Sequence, residues 1–475
     1  MCAILSCEDV ESVIEDARRL GLSPDDSDAI GAILYRLRHS NCDLTDLGTI
    51  EAALIELGLS RDHAYALAIK ALDSNLLRRP WTPVRPYSAA GARLSSAGRT
   101  LRGVLFDEDM RTLIRFPPDM EDEAYFVPDS VETIADRAFE DSKIKRVVLP
   151  KRLRNIGSCA FKNSKVESAN LPESLEHLGE DAFSGTWLTE VTIPPKITVI
   201  PDGAFSSSRL RSVRFSGPVT EIGDMAFYYS KLEEVALPDT VRAIGWKAFD
   251  KCFELRRVSF PPSLRVLSFG AFHFCAALES VDLPPSLLAI DREAFWECGS
   301  LKRASIASAL IIDYQAFCDD RKLESLTLPR NLRVLGTRAF CQCYEIKSLT
   351  LPPSLRRIGM DAFDSYRIKH LDIPDSVTSV EGGALNMGNL RSATVGYQTK
   401  LDPKAFAGWT SVTVRKPRTA PSRKGSKDGL LSRLFGKHRS NLILHTFSFS
   451  PGGSRPAMQR ERRAGLLDFH RAKTA

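Results

Sequence analysis

A single pattern of 21 to 23 residues recurs thirteen times in this chain of 475 residues. Its clearest copies read L-P-P-S-L-x-x-I-G-x-x-A-F-x-x-C-x-x-L-x-x-L-x-L-P, and the pattern begins again where it ends. The residue after the Ala is the anchor of each copy, and the anchors are Phe139, Phe161, Phe183, Phe205, Phe227, Phe249, Phe272, Phe295, Phe317, Phe340, Phe363, Leu385 and Phe406. A period of this length predicts stacked turns rather than one globular core.

Each turn of such a stack can bury its apolar face only against the neighbouring turns. The segment L-x-x-V-x-L, as in Leu232, Val235 and Leu237, alternates like a half-buried strand, and the Pro that follows ends it. We therefore predict a leucine-rich-repeat solenoid of about thirteen turns over residues 127–414, with a parallel β-sheet on one side.

The signature L-P-x-S-L-x-x-I-G-x-x-A-F-x-x-C resembles the BspA-type leucine-rich repeats over residues 101–414. The stretch from Gly103 to Pro118 looks like the hairpin that often opens such arrays, so we expect an N-terminal capping hairpin at 101–126. The resemblance implies a non-catalytic binding surface, often on secreted or surface-attached microbial proteins.

The segments outside the repeats differ in composition. Residues 1–77 carry apolar side chains at helical spacing, which predicts a small all-α domain: Val10, Val13, Ile14, Ala17, Ile30, Ile33, Leu34, Leu37, Leu47, Ile50, Leu54, Leu57, Leu67, Ala71 and Leu72. Residues 78–100 are rich in Pro, Ser, Gly and Ala and are predicted to be a linker. Residues 415–475 contain 15 Lys and Arg against 3 Asp and Glu, a net charge of +12, which predicts a basic disordered tail.

The chain carries no apolar run of the length that a membrane span requires, and its N-terminus lacks the features of a Sec signal peptide. We expect a cytoplasmic protein without a transmembrane segment. The alternative is a secreted or cell-surface protein exported by a non-Sec route.

Motifs for nucleotide binding, acyl transfer and zinc-dependent proteolysis are missing, and the 8 histidines are scattered. We therefore expect no enzyme, no cofactor and no metal site. Four of the ten cysteines lie three residues after an anchor: Cys252, Cys275, Cys298 and Cys343. Stacked neighbours could form disulfides or bind a soft metal, but the sequence favours small buried side chains.

Two features break the repeat. Aromatic residues follow the anchors of turns five to eight and are our candidate partner-binding residues: Tyr228, Tyr229, Phe253, His273, Phe274 and Trp296. The alternative is that they form part of the outer wall. Charges alternate in sign over seven turns, which predicts a self-neutralising ladder: Arg211, Glu233, Arg256, Glu279, Lys302, Glu324 and Lys347.

These features predict a non-enzymatic scaffold or adaptor that binds a protein through its repeat surface. Two alternatives remain. One is a secreted or cell-surface adhesin-like protein, and the other is attachment to nucleic acid or an anionic membrane through residues 415–475.

Overall fold

The computed structural model describes residues 99–120 and 123–415, the helix Leu47–Glu56, and single residues between positions 13 and 68. Most of the predicted linker, up to residue 98, and residues 416–475 lie outside the described residues. Within the described part of the chain, no helix is both long and apolar enough to cross a membrane.

Each turn of the array contributes to one or both of two columns of short strands. The first column comes from the L-x-L segments and contains β4 (Ala124–Phe126), β6 (Arg146–Val148), β8 (Ser168–Ala169), β10 (Glu190–Ile193), β12 (Ser212–Phe215), β14 (Glu234–Ala236), β16 (Arg257–Ser259), β18 (Ser280–Leu283), β20 (Arg303–Ile306), β22 (Ser325–Thr327), β25 (His370–Asp372), β27 (Ser392–Val395) and β29 (Ser411–Val414). The second column ends at the apolar residue of the I-G step and contains β5 (Thr133–Ile134), β7 (Asn155–Ile156), β9 (His177–Leu178), β11 (Val199–Ile200), β13 (Glu221–Ile222), β15 (Ala243–Ile244), β17 (Val266–Leu267), β19 (Ala289–Ile290), β21 (Ile311–Ile312), β23 (Val334–Leu335), β24 (Arg357–Ile358), β26 (Ser379–Val380) and β28 (Lys400–Leu401).

The predicted parallel stacking is confirmed, but the sequence located only one of the two columns. The L-x-L strands form five separate sheets of two or three strands, whereas the I-G column runs without a break through ten strands from β11 to β28. The I-G strands are two residues long. Alternation of apolar and polar residues cannot be recognised over so short a length, which is why the second sheet was not predicted.

The core of the solenoid is a stack of the anchor rings. Successive rings from Phe116 to Phe363 lie with their centroids 4.7–5.7 Å apart. Phe116 follows a cap strand and stacks on Phe139 at 4.8 Å, so it serves as an additional anchor. The array therefore has about fourteen turns, one more than the thirteen that the pattern predicts.

The cap begins with an antiparallel hairpin. β1 (Arg99–Leu101) pairs with β2 (Val104–Phe106), and β2 pairs with β3 (Thr112–Arg115), which then pairs in parallel with β5. The hairpin turn is Arg102 and Gly103, both with positive φ, the conformation that suits a two-residue hairpin. The open edge of the first turn is thus covered by antiparallel strands.

The Gly after the I-G strand allows the turns to approach one another closely. A Cβ atom at Gly157 would lie 2.6 Å from the backbone nitrogen of Asp136, and one at Gly179 would lie 2.3 Å from that of Ser158. Both contacts are shorter than real Cβ contacts. These positions accept only Gly without a shift of the neighbouring turn.

The described apolar residues of the N-terminal segment pack on the I-G sheet. The first residue of an I-G strand points away from the Phe core, and it is apolar and buried in five consecutive turns: Ala243, Val266, Ala289, Ile311 and Val334. They form one apolar cluster with Val13, Ile14, Ala17, Ile30, Ile50, Ala53, Leu54, Leu57, Ala64, Leu67 and Ala68. Arg333 also donates a hydrogen bond of 3.0 Å from Nη1 to the carbonyl oxygen of Leu57. We call the five strand residues Ala243, Val266, Ala289, Ile311 and Val334 the covered strip.

Candidate protein-binding surface

The backbone around most anchors adopts the left-handed conformation at two positions. Residues two before and two after the anchor have positive φ in most turns. Tyr229 and Phe274 occupy the later of these positions, with φ of 55° and 56°. Asn163 and Gly185 occupy the same position in other turns, and these residue types adopt such angles more easily. Tyr229 and Phe274 therefore occupy a turn position whose left-handed backbone conformation is set by the repeat.

The first group of candidate residues comes from turns five and six. The rings of Tyr229 and Phe253 meet edge to face with centroids 5.8 Å apart, and both side chains are exposed, at 45% and 39%. Tyr228 is half-buried beside them. Its hydroxyl accepts a hydrogen bond of 3.0 Å from Lys251 Nζ. This group presents apolar rings to solvent.

The second group comes from turns seven and eight and is less accessible. His273 is buried, and its ring stacks on Trp296 at 4.8 Å and lies 4.2 Å from the ring of Phe274. Its Nδ1 lies 3.1 Å from Asp250 Oδ1. Phe274 and Trp296 are half-buried. His273 therefore supports the two rings from below and has little surface to offer a partner.

The structure adds two aromatic residues that the sequence analysis missed. Trp246 and Phe269 lie three residues before their anchors and stack with centroids 6.3 Å apart. Asp202 and Asp224 occupy the same position in the preceding turns. The signal was present as the replacement of an acid by an aromatic in I-G-W-K-A-F and L-S-F-G-A-F. The candidate residues all follow the anchors, whereas these two precede them.

Lys247 links the pair Trp246 and Phe269 to the second group. Its Nζ lies 5.0 Å from the ring centroid of Trp246, 5.8 Å from that of Phe269, and 3.7 Å from Asp250 Oδ2. Asp250 in turn contacts His273. We call the accessible aromatic residues of the three groups the aromatic face: Tyr228, Tyr229, Trp246, Phe253, Phe269, Phe274 and Trp296, with the buried His273 packed against Phe274 and Trp296.

Acidic residues border the aromatic face. Burial, together with the charge of Asp202, raises the pKa of Asp224 to about 7, although Asp224 accepts a hydrogen bond of 2.7 Å from the backbone N–H of Trp246. Burial also raises the pKa of Asp202 and of Glu180. Part of this acidic border is therefore neutral below pH 7.

The alternating charges form ion pairs between neighbouring turns at the positions where the structure shows a partner, as a neutralising ladder requires. Arg211 Nη1 lies 3.2 Å from Glu233 Oε1, and Lys347 pairs with Glu324. A second row at neighbouring positions repeats the arrangement, with Arg257 bonded to Glu234. In each of these pairs the two charges neutralise each other.

The cysteines three residues after the anchors are buried thiols, as predicted. Cys252, Cys275 and Cys298 each donate from Sγ at 3.2 Å to the carbonyl oxygen of the anchor in the neighbouring turn before their own. Burial raises the pKa of all three thiols. Among the described residues, no group of three or more His, Cys, Asp and Glu side chains could hold a metal ion.

Comparison with known proteins identifies the repeat. Residues 123–233, 220–319 and 310–417 match the BspA type leucine rich repeat region, in 6 copies. A leucine-rich repeat protein from Bacteroides ovatus is similar in structure with a TM-score of 0.52 and 23% identity, over 67% of this chain and 90% of that protein. A leucine rich cell surface protein from Faecalibacterium prausnitzii gives a TM-score of 0.38 and 20% identity, over 68% of this chain and 96% of its own.

A search among curated proteins finds none that is similar to this chain. The family match covers more than half of the chain, and it covers the repeats from which the Phe stack and both strand columns are built. The likeness to the Bacteroides ovatus protein supports the same fold. The chain belongs to the family of BspA-type leucine-rich repeat proteins.

Proposed function

We propose that this chain is a non-enzymatic scaffold or adaptor that binds a protein partner through its aromatic face. The observation that carries the proposal is the pair Tyr229 and Phe253, two large rings that are packed edge to face and yet 45% and 39% exposed. Rigid aromatic side chains at a surface are typical binding hot spots. Membership of a repeat family supports a binding role, because stacked turns provide an extended surface.

A capture experiment with matched variants tests this proposal. The full-length chain, a variant with Tyr229→Asn and Phe253→Lys, and a control variant with Tyr397→Ala and Trp409→Ala are used as baits. Asn163 and Lys143 occupy the positions of Tyr229 and Phe253 in other turns, so the repeat accepts these changes. Tyr397 and Trp409 are exposed by 53% and 66% and belong to the last two turns.

The expected result is a partner that binds the wild type and the control variant, and that loses about 2 kcal/mol or more with the aromatic-face variant, a drop of roughly 30-fold in affinity. Equal binding of that partner to all three baits would contradict the assignment of the aromatic face.

A second function is favoured by the composition of the C-terminal segment. Residues 415–475 carry a net charge of +12, whereas the rest of the chain carries −6. A segment of this charge can bind nucleic acid or an anionic membrane through counterion release. The salt dependence of such binding is the basis of its test.

A further inference from the structure

Cys318 and Cys341 occupy the same position in two neighbouring turns, directly after the anchors Phe317 and Phe340. The rings of these anchors stack at 5.1 Å. The backbone joins the two turns on both sides of Cys318, because Phe317 N–H donates to Ala339 O at 2.8 Å and Asp319 N–H donates to Cys341 O at 2.9 Å. This pattern places Cys318 beside Cys341 in parallel register.

Side chains at this position touch from turn to turn elsewhere in the array. The hydroxyl oxygens of Ser184 and Ser206, also the first residues after their anchors, lie 2.8 Å apart. Neighbouring parallel strands bring Cα atoms about 4.8 Å apart, which lies within the range of about 4.4–6.8 Å that a disulfide spans. A bond between Cys318 and Cys341 therefore requires rotation of side chains and no displacement of the backbone.

Cys318 is itself buried, but the neighbouring thiols of the array are held differently. Cys275 and Cys298 have the same spacing of 23 residues, but each is fully buried and donates its S–H to a backbone carbonyl oxygen at 3.2 Å. Cys341 is half-buried, so a small oxidant can reach it from solvent. Accessible thiols that face a second thiol are the ones that oxidise reversibly.

We propose that Cys318 and Cys341 form a redox-active dithiol, which closes to a disulfide between turns nine and ten when the protein meets a hydroperoxide. The hydrogen bond from Cys318 and the charge of Arg338 lower the pKa of the Cys341 thiol, which favours the reactive thiolate. Cys341 is thus the attacking residue and Cys318 the resolving one.

The chemistry balances with the peroxide as the oxidant. The Cys341 sulfur attacks one peroxide oxygen, the O–O bond breaks, and the departing oxygen takes a proton to leave as water when the oxidant is hydrogen peroxide. The Cys318 sulfur then loses its proton and attacks the sulfur of the Cys341 sulfenic acid, releasing a second water. The two thiols lose two electrons, and the peroxide gains them.

Oxidation of the reduced full-length chain by hydrogen peroxide tests the proposal. After treatment, free thiols are alkylated, and the protein is digested and analysed by mass spectrometry. We expect one linked pair of peptides that joins Cys318 to Cys341 and is released by dithiothreitol. Cys275 and Cys298 should stay reduced, which makes them an internal control.

Two serine variants sharpen the result. Cys341→Ser should abolish the link, whereas Cys298→Ser should preserve it; serine is native at the Cys341 position in Ser184 and Ser206. Oxidation should also raise the thermal midpoint of the wild type and leave that of Cys341→Ser unchanged, since a cross-link restricts the unfolded chain. Separate alkylation of Cys318 and Cys341 after oxidation, a link from Cys341 to Cys343, or a link that forms only in urea would overturn the proposal.

Discussion

At the scale of single residues, the stability of the array depends on the anchor ring. Phe272 is fully buried and stacks on Phe249 at 5.0 Å and on Phe295 at 5.4 Å. We expect Phe272→Ala to lower the free energy of unfolding by about 3–5 kcal/mol, because the change empties a core position in a close-packed stack. Urea unfolding measures the loss. Phe253→Ala, at an exposed ring, should cost far less, and equal losses for the two variants would argue against the ring stack as the core.

Asp224 makes the stability of the fold depend on pH. Its pKa rises from the ordinary 3.8 to about 7 in the folded chain, chiefly through burial. Between these pH values the folded state holds a proton that the unfolded state has released. The contribution of this proton to the stability of the fold is complete below pH 3.8 and is lost as the pH rises through 7. Asp224→Asn keeps the oxygen that accepts the Trp246 N–H.

Thermal midpoints measured from pH 4 to pH 8 reveal this contribution. We expect Asp224→Asn to melt close to the wild type at pH 4 and above it at pH 8, because the variant never carries the buried charge. Asp136→Asn is the matched control, since Asp136 accepts an equivalent hydrogen bond of 2.8 Å from Ser158 N–H at an exposed site. A pH-independent difference between Asp224→Asn and the wild type would refute the assignment.

At the scale of elements, the docking of the N-terminal segment depends on the covered strip. Ile311 is 1% exposed in the strip, whereas Lys400 occupies the same strand position in β28 and is exposed. The strand therefore tolerates Lys at this position, and Ile311→Lys should disturb only the contact with the N-terminal segment. We expect it to weaken docking by about 2 kcal/mol or more, because it replaces a buried apolar side chain by a charge.

Limited proteolysis measures this docking. Cleavage within residues 1–98 should be faster in Ile311→Lys than in the wild type, while residues 99–415 stay intact. Ser379→Lys, at an uncovered position of the same column, serves as the control and should leave the cleavage rate unchanged. If both variants are cleaved as slowly as the wild type, the covered strip does not hold the segment.

The elements also show what the sequence could and could not predict. The anchors, the core and the parallel stacking follow from the period, because each buried position recurs at one phase of the repeat. The covered strip could not be predicted in this way. Its five residues lie one to a turn, and each is simply an apolar residue next to the buried Ile or Leu of its own turn. The exposure of Tyr229 and the burial of His273 likewise depend on the adjoining turns, which a single copy of the repeat does not contain.

At the scale of the whole molecule, the described part of the chain ends with Arg415, the first residue of the predicted tail. Its backbone N–H donates to Val395 O at 2.8 Å, and its Nη1 donates to Asp375 Oδ1 at 2.7 Å and Ile373 O at 2.6 Å. We therefore expect a truncation that keeps Arg415 to leave the last turn intact. Residues 416–475 carry the remaining positive charge of the predicted tail, +11 in all.

We expect removal of residues 416–475 to leave the thermal midpoint unchanged and to reduce binding to polyanions. On a heparin column the full chain should elute at higher salt than the truncated chain, because each neutralised anionic group releases counterions. Binding of the full chain to DNA or to anionic vesicles should fall steeply as salt rises. A full-length variant with the tail Lys and Arg changed to Gln separates charge from length and should behave like the truncation. If the truncated chain binds these polyanions as well as the full chain does, the tail is not the attachment segment.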